Sequence, residues 1–280
     1  MWRRDSFCSY CIVPYVRGRE RSRPVNDIYN EVKSASEAGL RDITLLGQNV
    51  NSYQYDGYHF PDLLRKLNDI ESLWRLRFVT SHPKDLSDEL ISAMAECSKV
   101  CEHIHLPLQA GDDQVLKNMN RSYNVDHYLG LIDKLRTAIP NIAITTDLMV
   151  GFPGESEAQF ENTLRVMESI RFDYAFCFKY SEREGTKAAS YKDQVPEDER
   201  LRRLQAMIEL QRQITFDKFQ EQIGKTVEVY VEDFSRKSQD MVSGKTRDFK
   251  IAVLSGGSDK IGGLSLAKVV DATAGTLICD

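Results

Sequence analysis

Two cysteines at a Cys-x-x-Cys spacing are the strongest chemical signal in this chain. Cys8-Ser9-Tyr10-Cys11 offers two thiolates that can share one iron–sulfur cluster or one zinc, or close as a dithiol. No second Cys-x-x-Cys exists to complete a zinc ribbon. Cys97, Cys101, Cys177 and Cys279 are scattered, and each reads as a small packing residue. His82, His103 and His105 share no metal-ligand spacing and read as satisfied polar residues near strand ends. There is no P-loop and no nucleophile elbow. Two basic sets could meet phosphate. Arg17, Arg19, Arg21 and Arg23 alternate just after the cysteine pair. Arg236, Lys237, Lys245, Arg247 and Lys250 cluster near the C-terminus, where Phe234 and Phe249 are available to stack a base.

Elements must position these groups, and the pattern along the chain is helix and strand in alternation. Helices are predicted over Pro24–Ala38, Pro61–Ile70, Asp88–Cys97 (capped by Ser87), Asn124–Ile139, Glu155–Ile170 and Pro196 to about Gln222. Strands are predicted over Asp42–Leu46, Arg75–Val79, His103–Leu108, Ile142–Val150 and Asp173–Tyr180. Strands separated by helices of this length imply βαβ crossovers and a parallel sheet. Barrels of that kind carry chemistry on loops at the C-terminal ends of strands, where the cysteine pair, Gly47-Gln48-Asn49, Gln109 and Gly151–Glu155 all fall. After Gly224 the texture changes to short alternating strands and Gly-rich turns, as in a small antiparallel β domain. Residues 1–216 therefore read as one domain and 217–280 as a second.

Composition sets outer limits. The net charge of −5 argues against indiscriminate coating of nucleic acid, but not against a local basic footprint. No apolar run is long enough to span a bilayer and no signal peptide opens the sequence, so the expected compartment is the cytosol.

Several runs resemble the radical S-adenosylmethionine methylthiotransferases that modify tRNA. They are Phe7–Pro24 around the cysteines, Leu45–Tyr53, His105–Asp112, Thr146–Glu155 and Tyr180–Thr186. Gly47-Gln48-Asn49-Val50-Asn51-Ser52-Tyr53 is similar to the branch acting on isopentenylated adenosine beside the anticodon. The resemblance implies a partial parallel (βα) barrel followed by a TRAM-like RNA-binding β barrel. It implies a 4Fe–4S cluster on Cys8 and Cys11, and S-adenosylmethionine held by Gly47, Gln48, Asn49, Gln109, Asp147, Gly151 and Glu155. In that reading the amides of Gln48 and Asn49 meet the methionine zwitterion, Gln109 reaches a ribose hydroxyl, and the glycines around Phe152 admit the adenine face. The family reaction reductively cleaves the cofactor, abstracts hydrogen from C2 of a flipped adenine and installs a methylthio group. The implied partners are a tRNA anticodon stem-loop and an external electron donor, with the chain as a monomer.

Two departures qualify this. The family's cluster motif has three cysteines, and its first position here is Arg4, which cannot donate to iron. The family also carries an N-terminal domain with an auxiliary, sulfur-supplying cluster, and the chain reads as a truncated member that starts inside the cluster loop. The rival expectation is a tRNA-binding homologue without catalysis; a zinc or dithiol protein using Cys8 and Cys11 alone is a third.

Overall fold

The computed structural model of this chain describes residues 8–13, 21–236 and 238–280; Arg4, Arg17, Arg19 and Lys237 lie outside the described residues. The alternation of the sequence becomes two short parallel sheets wrapped by helices. Helix α1 (Val25–Glu37) begins at Pro24 and ends before Gly39, whose φ of +103° suits only glycine. Strand β1 (Asp42–Leu45) follows. A small hairpin, β2 (Gln54–Tyr55) and β3 (Tyr58–His59), then leads into α2 (Phe60–Asn68), which buries Leu63, Leu64 and Leu67. Strand β4 (Arg75–Phe78) pairs with β1 in parallel. Helix α3 (Asp88–Glu96) is capped by Ser87 Oγ, which accepts the Leu90 N–H at 3.1 Å.

The second sheet holds β5 (His103–His105), β6 (Ala143–Val150) and β7 (Tyr174–Lys179), all parallel. Helices α4 (Asp113–Asn118), α5 (Val125–Ala138) and α6 (Glu157–Ile170) fill the crossovers. A bridge between Leu76 and Val100 and the bond from Ser81 N–H to His105 O (3.3 Å) join the two sheets into one curved wall. The result is the expected partial parallel barrel, with its apolar core between strands and outer helices. Most boundaries move by a residue or two, and two of the shifts bear on the site. The predicted strand His103–Leu108 stops at His105, and the helix expected from Glu155 starts at Glu157, behind a Ser156–Gln159 capping box.

Helix α7 (Glu197–Gln220) spans both units: Met207 and Ile214 belong to the first core, Phe219 to the second. Beyond it, β8 (Thr226–Ser235), β9 (Ser238–Thr246), β10 (Ile251–Ser255), β11 (Leu264–Ala272) and β12 (Leu277–Cys279) close into a barrel ordered β10-β12-β11-β8-β9. This barrel is not purely antiparallel as expected, because β10 and β12 pair in parallel to close it. Gly244 permits the closest approach, since a Cβ there would lie 1.9 Å from Tyr230 O.

The C-terminal barrel docks on the N-terminal ends of the parallel strands through charge, and this overturns part of the RNA footprint. Arg75 is wholly buried and donates to Lys245 O (2.6 Å), Glu228 O (2.9 Å) and Glu228 Oε1 (2.8 Å). Arg77 pairs with Asp42 (3.0 Å) and donates to Thr246 O and Arg247 O. Arg247, expected on RNA, forks onto Glu102 at 2.7 and 2.8 Å and also reaches Ser98 O and Val100 O. Lys250, expected likewise, is buried between Asp173 and Asp248. Neither cation is available to phosphate, because each is already engaged by buried or half-buried carboxylates. Phe249 stacks on His103 with ring centroids 4.9 Å apart, so it too faces the parallel barrel. Of that basic set, Arg236 is exposed, while Lys245 is half-exposed and paired with Glu232 at 3.2 Å.

The buried His103 gives this interface a pH dependence. Burial first, then the Arg77 charge, pushes its imidazole down to about 3. The unfolded chain, with an ordinary histidine near 6.5, binds the proton more readily. The His103 contribution is therefore complete above about pH 6.5 and is lost as the pH falls toward 3. Urea midpoints measured between pH 7 and pH 4 should fall, and His103→Gln should flatten that part of the profile.

Candidate functional site

The loops at the C-terminal ends of the strands converge on one rim, and the cysteine pair sits among them. Cys11 N–H turns back onto Cys8 O at 3.1 Å. Ser9 ties this turn down: its N–H donates to Met119 O (3.0 Å), its Oγ to Asn118 O (2.8 Å), and its carbonyl accepts from Ala188 N–H (2.8 Å). Both thiols are half-buried. Between them, the Tyr10 ring meets Phe152 edge-on at 6.3 Å, and Phe152 in turn packs on Tyr180 and Tyr191. Tyr10 thus seats the cysteine turn on the Gly151–Glu155 loop.

A hydrogen-bonded chain carries the cysteine turn to the Gly47–Asn49 loop. Arg121 donates to Tyr10 OH at 3.0 Å and to His82 Nε2 at 2.8 Å. His82 and Asn51 then exchange bonds through His82 N–H and His82 O, at 2.9 and 3.0 Å. Burial first, then Arg121, lowers the His82 imidazole to about 4, so it stays a neutral acceptor for the guanidinium. Burial raises the Tyr10 phenol above its ordinary range. Arg121 was not foreseen: it follows α4 in a polar stretch, and nothing local marks it as half-buried and bonded to Tyr10 and His82.

The predicted cofactor residues divide. Gly47 and Gln48 are exposed on the rim. Asn49 donates to Asp85 at 2.7 Å, and its buried Oδ1 has no partner among the described residues. Gln109 adopts a left-handed φ of +76°, its backbone bonded to Asp147 O (2.9 Å) and Met149 N (2.8 Å). Asp147 faces the barrel lumen, with Oδ1 3.5 Å from His105 Nε2.

Gly151 and Glu155 require correction. A Cβ on Gly151 would lie 2.3 Å from Arg200 Cγ, so this glycine (φ +68°) admits a side chain of the protein itself. Glu155 lies behind the loop, where Oε1 accepts from Gly151 N–H (2.9 Å) and Arg203 (2.8 Å) while Oε2 is closed off from solvent. Burial raises its carboxyl, opposed by the Gly151 N–H and Arg203. Through Oε1 it shapes the loop, while Oε2 has no partner among the described residues.

The three histidines form no metal centre. His103 and His105 share Thr145 Oγ1, at 3.2 and 3.0 Å, and no group of three or more His, Cys, Asp or Glu side chains among the described residues could hold a metal. Cys97, Cys101 and Cys279 are buried, and burial raises the Cys101 and Cys177 thiols to about 11. Arg23 is exposed and pairs with Glu31 at 2.6 Å.

The donor set fits an iron–sulfur cluster only in part. Two thiolates suit iron and sulfide, but a 4Fe–4S cluster with one open iron takes three, and the described residues supply Cys8 and Cys11 alone. A nucleoside bearing an amino acid fits the rim better. Gly47 and Gln48 are accessible, and Asn49 Oδ1 is an acceptor in want of a donor.

A family profile described as the radical SAM superfamily matches residues 5–167, more than half of the sequence. The chain belongs to the radical SAM superfamily. It is 51% identical over 276 residues to the tRNA-2-methylthio-N(6)-dimethylallyladenosine synthase of Thermoanaerobacter sp. (strain X514), a match covering 98% of this chain and 59% of that protein. The protein of the same name from Desulfitobacterium hafniense (strain Y51) is 49% identical over 276 residues, 98% of this chain and 62% of the relative. The chain thus spans about three fifths of the length of the curated relatives it matches.

Among solved structures, it resembles the radical S-adenosylmethionine methyltransferase TsrM from Kitasatospora setae, determined with cobalamin and a 4Fe–4S cluster. The TM-score is 0.55 at 17% identity, over 66% of this chain and 36% of the other. Coproporphyrinogen III oxidase (HemN) from Escherichia coli, a radical SAM enzyme, gives 0.54 at 15% identity, over 76% and 51%. At these identities the likeness concerns the fold. The radical SAM barrel explains why the cysteine turn, the Gly47 loop, Gln109 and the Gly151 loop share one rim: each follows, or stands where it would follow, a barrel strand.

Proposed function

We propose that this chain is the barrel and RNA-binding part of a tRNA methylthiotransferase acting on N6-dimethylallyladenosine. The observation that carries the reading is near-50% identity to proteins of that name across almost the whole chain, loops of the rim included. Gly47, Gln48, Asn49, Gln109 and Asp147 are the residues proposed to hold S-adenosylmethionine, which supplies the deoxyadenosyl and methyl groups when bound. Gly151 and Glu155 set the loop beneath it, and the Tyr10–Arg121–His82 chain fixes the spacing between the cysteine turn and the Gly47 loop. Arg21, Arg23 and Arg236 remain as phosphate contacts for an anticodon stem-loop. An external electron donor, a cytoplasmic location and a monomeric state complete the proposal; no helix among the described residues is long and apolar enough to cross a membrane.

The test is a graft. The chain from Arg23 onward replaces the matching segment of the Thermoanaerobacter relative, leaving that protein's own cluster loop in place. The graft is then expressed in a host lacking the methylthiotransferase. Mass spectrometry of tRNA nucleosides should show 2-methylthio-N6-dimethylallyladenosine. A graft that is soluble and loaded with iron yet makes none would refute the reading. The sequence also supports a binding homologue without catalysis, and Arg4 is the observation that favours it; that reading predicts stem-loop binding by the graft but no product from it.

A further inference from the structure

The small hairpin that follows the Gly47–Asn49 loop takes no part in the site described above, yet it presents two aromatic rings. Tyr55 ends β2 and Tyr58 begins β3, and the two are direct partners across the strand pair. Directly opposed residues share one face of a hairpin. The connection is Asp56-Gly57, with φ of +47° and +81°, both positive as a type I′ turn requires. That turn fixes the register and with it the placing of the two rings. Both stay half-exposed, Tyr55 at 39% and Tyr58 at 42%.

The cation beside the hairpin is held without being neutralised. Lys66 of α2 places its Nζ 5.5 Å from the Tyr29 ring centroid and 5.7 Å from that of Tyr58, and donates to Asn26 Oδ1 at 3.0 Å. No carboxylate pairs with it among the described residues, whereas its neighbour Arg65 is taken up by Glu89 and Glu96. The hairpin is also rooted on the basic segment before α1. Gln54 N–H donates to Ser22 Oγ at 3.2 Å, and Tyr53 OH donates to Arg23 O at 2.8 Å. Arg21 and Arg23, both exposed, flank that attachment.

An ammonium held by aromatic rings and an amide keeps its charge for an outside anion. A phenol ring offers a stacking face to any base. The hairpin, Gln54-Tyr55-Asp56-Gly57-Tyr58-His59, carries no aliphatic side chain, so it lacks the apolar centre of a protein interface. Open rings beside an uncompensated cation suit an unpaired nucleotide, the ring meeting the base and the cation its phosphate.

We propose that the Tyr55–Tyr58 hairpin, with Lys66, is an RNA contact on the parallel barrel, where an unpaired nucleotide stacks on tyrosine while Lys66 takes a phosphate. The inference rests on the preceding reading only for the RNA being a tRNA. It sets a grip on RNA next to the Gly47 loop, separate from the C-terminal barrel.

The experiment uses the full chain and fluorescence anisotropy with two labelled probes, an anticodon stem-loop and a fully paired RNA duplex of the same length. Tyr55→Ala and Tyr58→Ala should each weaken stem-loop binding at least about fivefold, the lower end of what a base–aromatic stack contributes. Tyr55→Phe and Tyr58→Phe, which keep the ring, should bind as the unaltered chain does. Duplex binding should change little in any of the four. Lys66→Gln should weaken binding and make the dependence of log affinity on log salt shallower by about one, the mark of one lost phosphate contact. Undiminished stem-loop affinity in both alanine variants overturns the proposal and turns the exposed rings over to a protein partner. An equal loss on the duplex, or an unchanged salt slope in Lys66→Gln, overturns it too. Hairpin-dependent binding by the full chain, beside a graft that makes no product, would leave this contact standing and remove the methylthiotransferase reading.

Discussion

Arg75→Met is expected to lower the unfolding free energy by about 3–5 kcal/mol, the cost of breaking a buried charged pair. At this chain length that corresponds to a melting temperature lower by about 10 °C. Methionine fills much the same volume, so packing loss is minor and the effect isolates the guanidinium. Arg75 is 0% exposed, and its bonds to Lys245 O and to both the backbone and side chain of Glu228 cross between the two units. Its removal takes away the donor that the Lys245 and Glu228 carbonyls and the Glu228 carboxylate share at the junction, and leaves Asp42 its pair with Arg77. The variant should also become sensitive to proteolysis between the units, near Gly224, before either core unfolds. Arg236→Met, on an exposed turn, is the control and should change stability by less than about 0.5 kcal/mol. A loss under about 1 kcal/mol for Arg75→Met would mean that water replaces its bonds and that docking rests on the apolar contacts of Phe219 and Phe249.

This interface marks the limit of what the sequence discloses. Period located the helices and strands, and the one cap foreseen, Ser87, bonds the first turn it precedes, whereas Ser156 caps a helix expected to start at Glu155. The convergence of Cys8–Cys11, Gly47–Asn49 and Gln109 on one rim was legible too, since strand order alone brings successive loops together at one end of a barrel. Charges were harder to place. Arg247 and Lys250 look like a phosphate footprint until the fold sets Glu102 and Asp173, far earlier in the chain, against them. Composition gives a cation its sign but not its partner. The same gap explains Glu155 and Gly151, whose motif suggests a ligand contact but whose neighbours are Arg203 and Arg200 from α7. The parallel β10–β12 pair was invisible for a similar reason: closing a barrel is a long-range demand that leaves no local periodicity.

Arg4→Cys is expected to produce the largest change in cofactor loading. The unaltered chain offers iron two thiolates, Cys8 and Cys11, and an arginine at the family's remaining ligand position. A guanidinium keeps its proton under all working conditions and has no lone pair to donate. With two thiolates, a 4Fe–4S cluster leaves two irons to water or buffer thiols and is expected to be lost on gel filtration. After anaerobic reconstitution with iron and sulfide, the unaltered chain should retain only a small fraction of the iron, whereas Arg4→Cys should approach about four per chain with matching sulfide. The reduced variant should also show an electron paramagnetic resonance signal that broadens when S-adenosylmethionine is added, since one iron then has an open position. Arg4→Ser, which removes the charge without adding a thiolate, should behave as the unaltered chain and so separates ligation from electrostatics. Cobalt titration distinguishes the simpler alternatives: an intense thiolate-to-metal band in the unaltered chain would assign Cys8 and Cys11 to a two-thiolate metal site instead. Retention of about four irons by the unaltered chain would show that a ligand other than a third cysteine completes the cluster. The Tyr10–Arg121 end of the rim is where a search for it would begin.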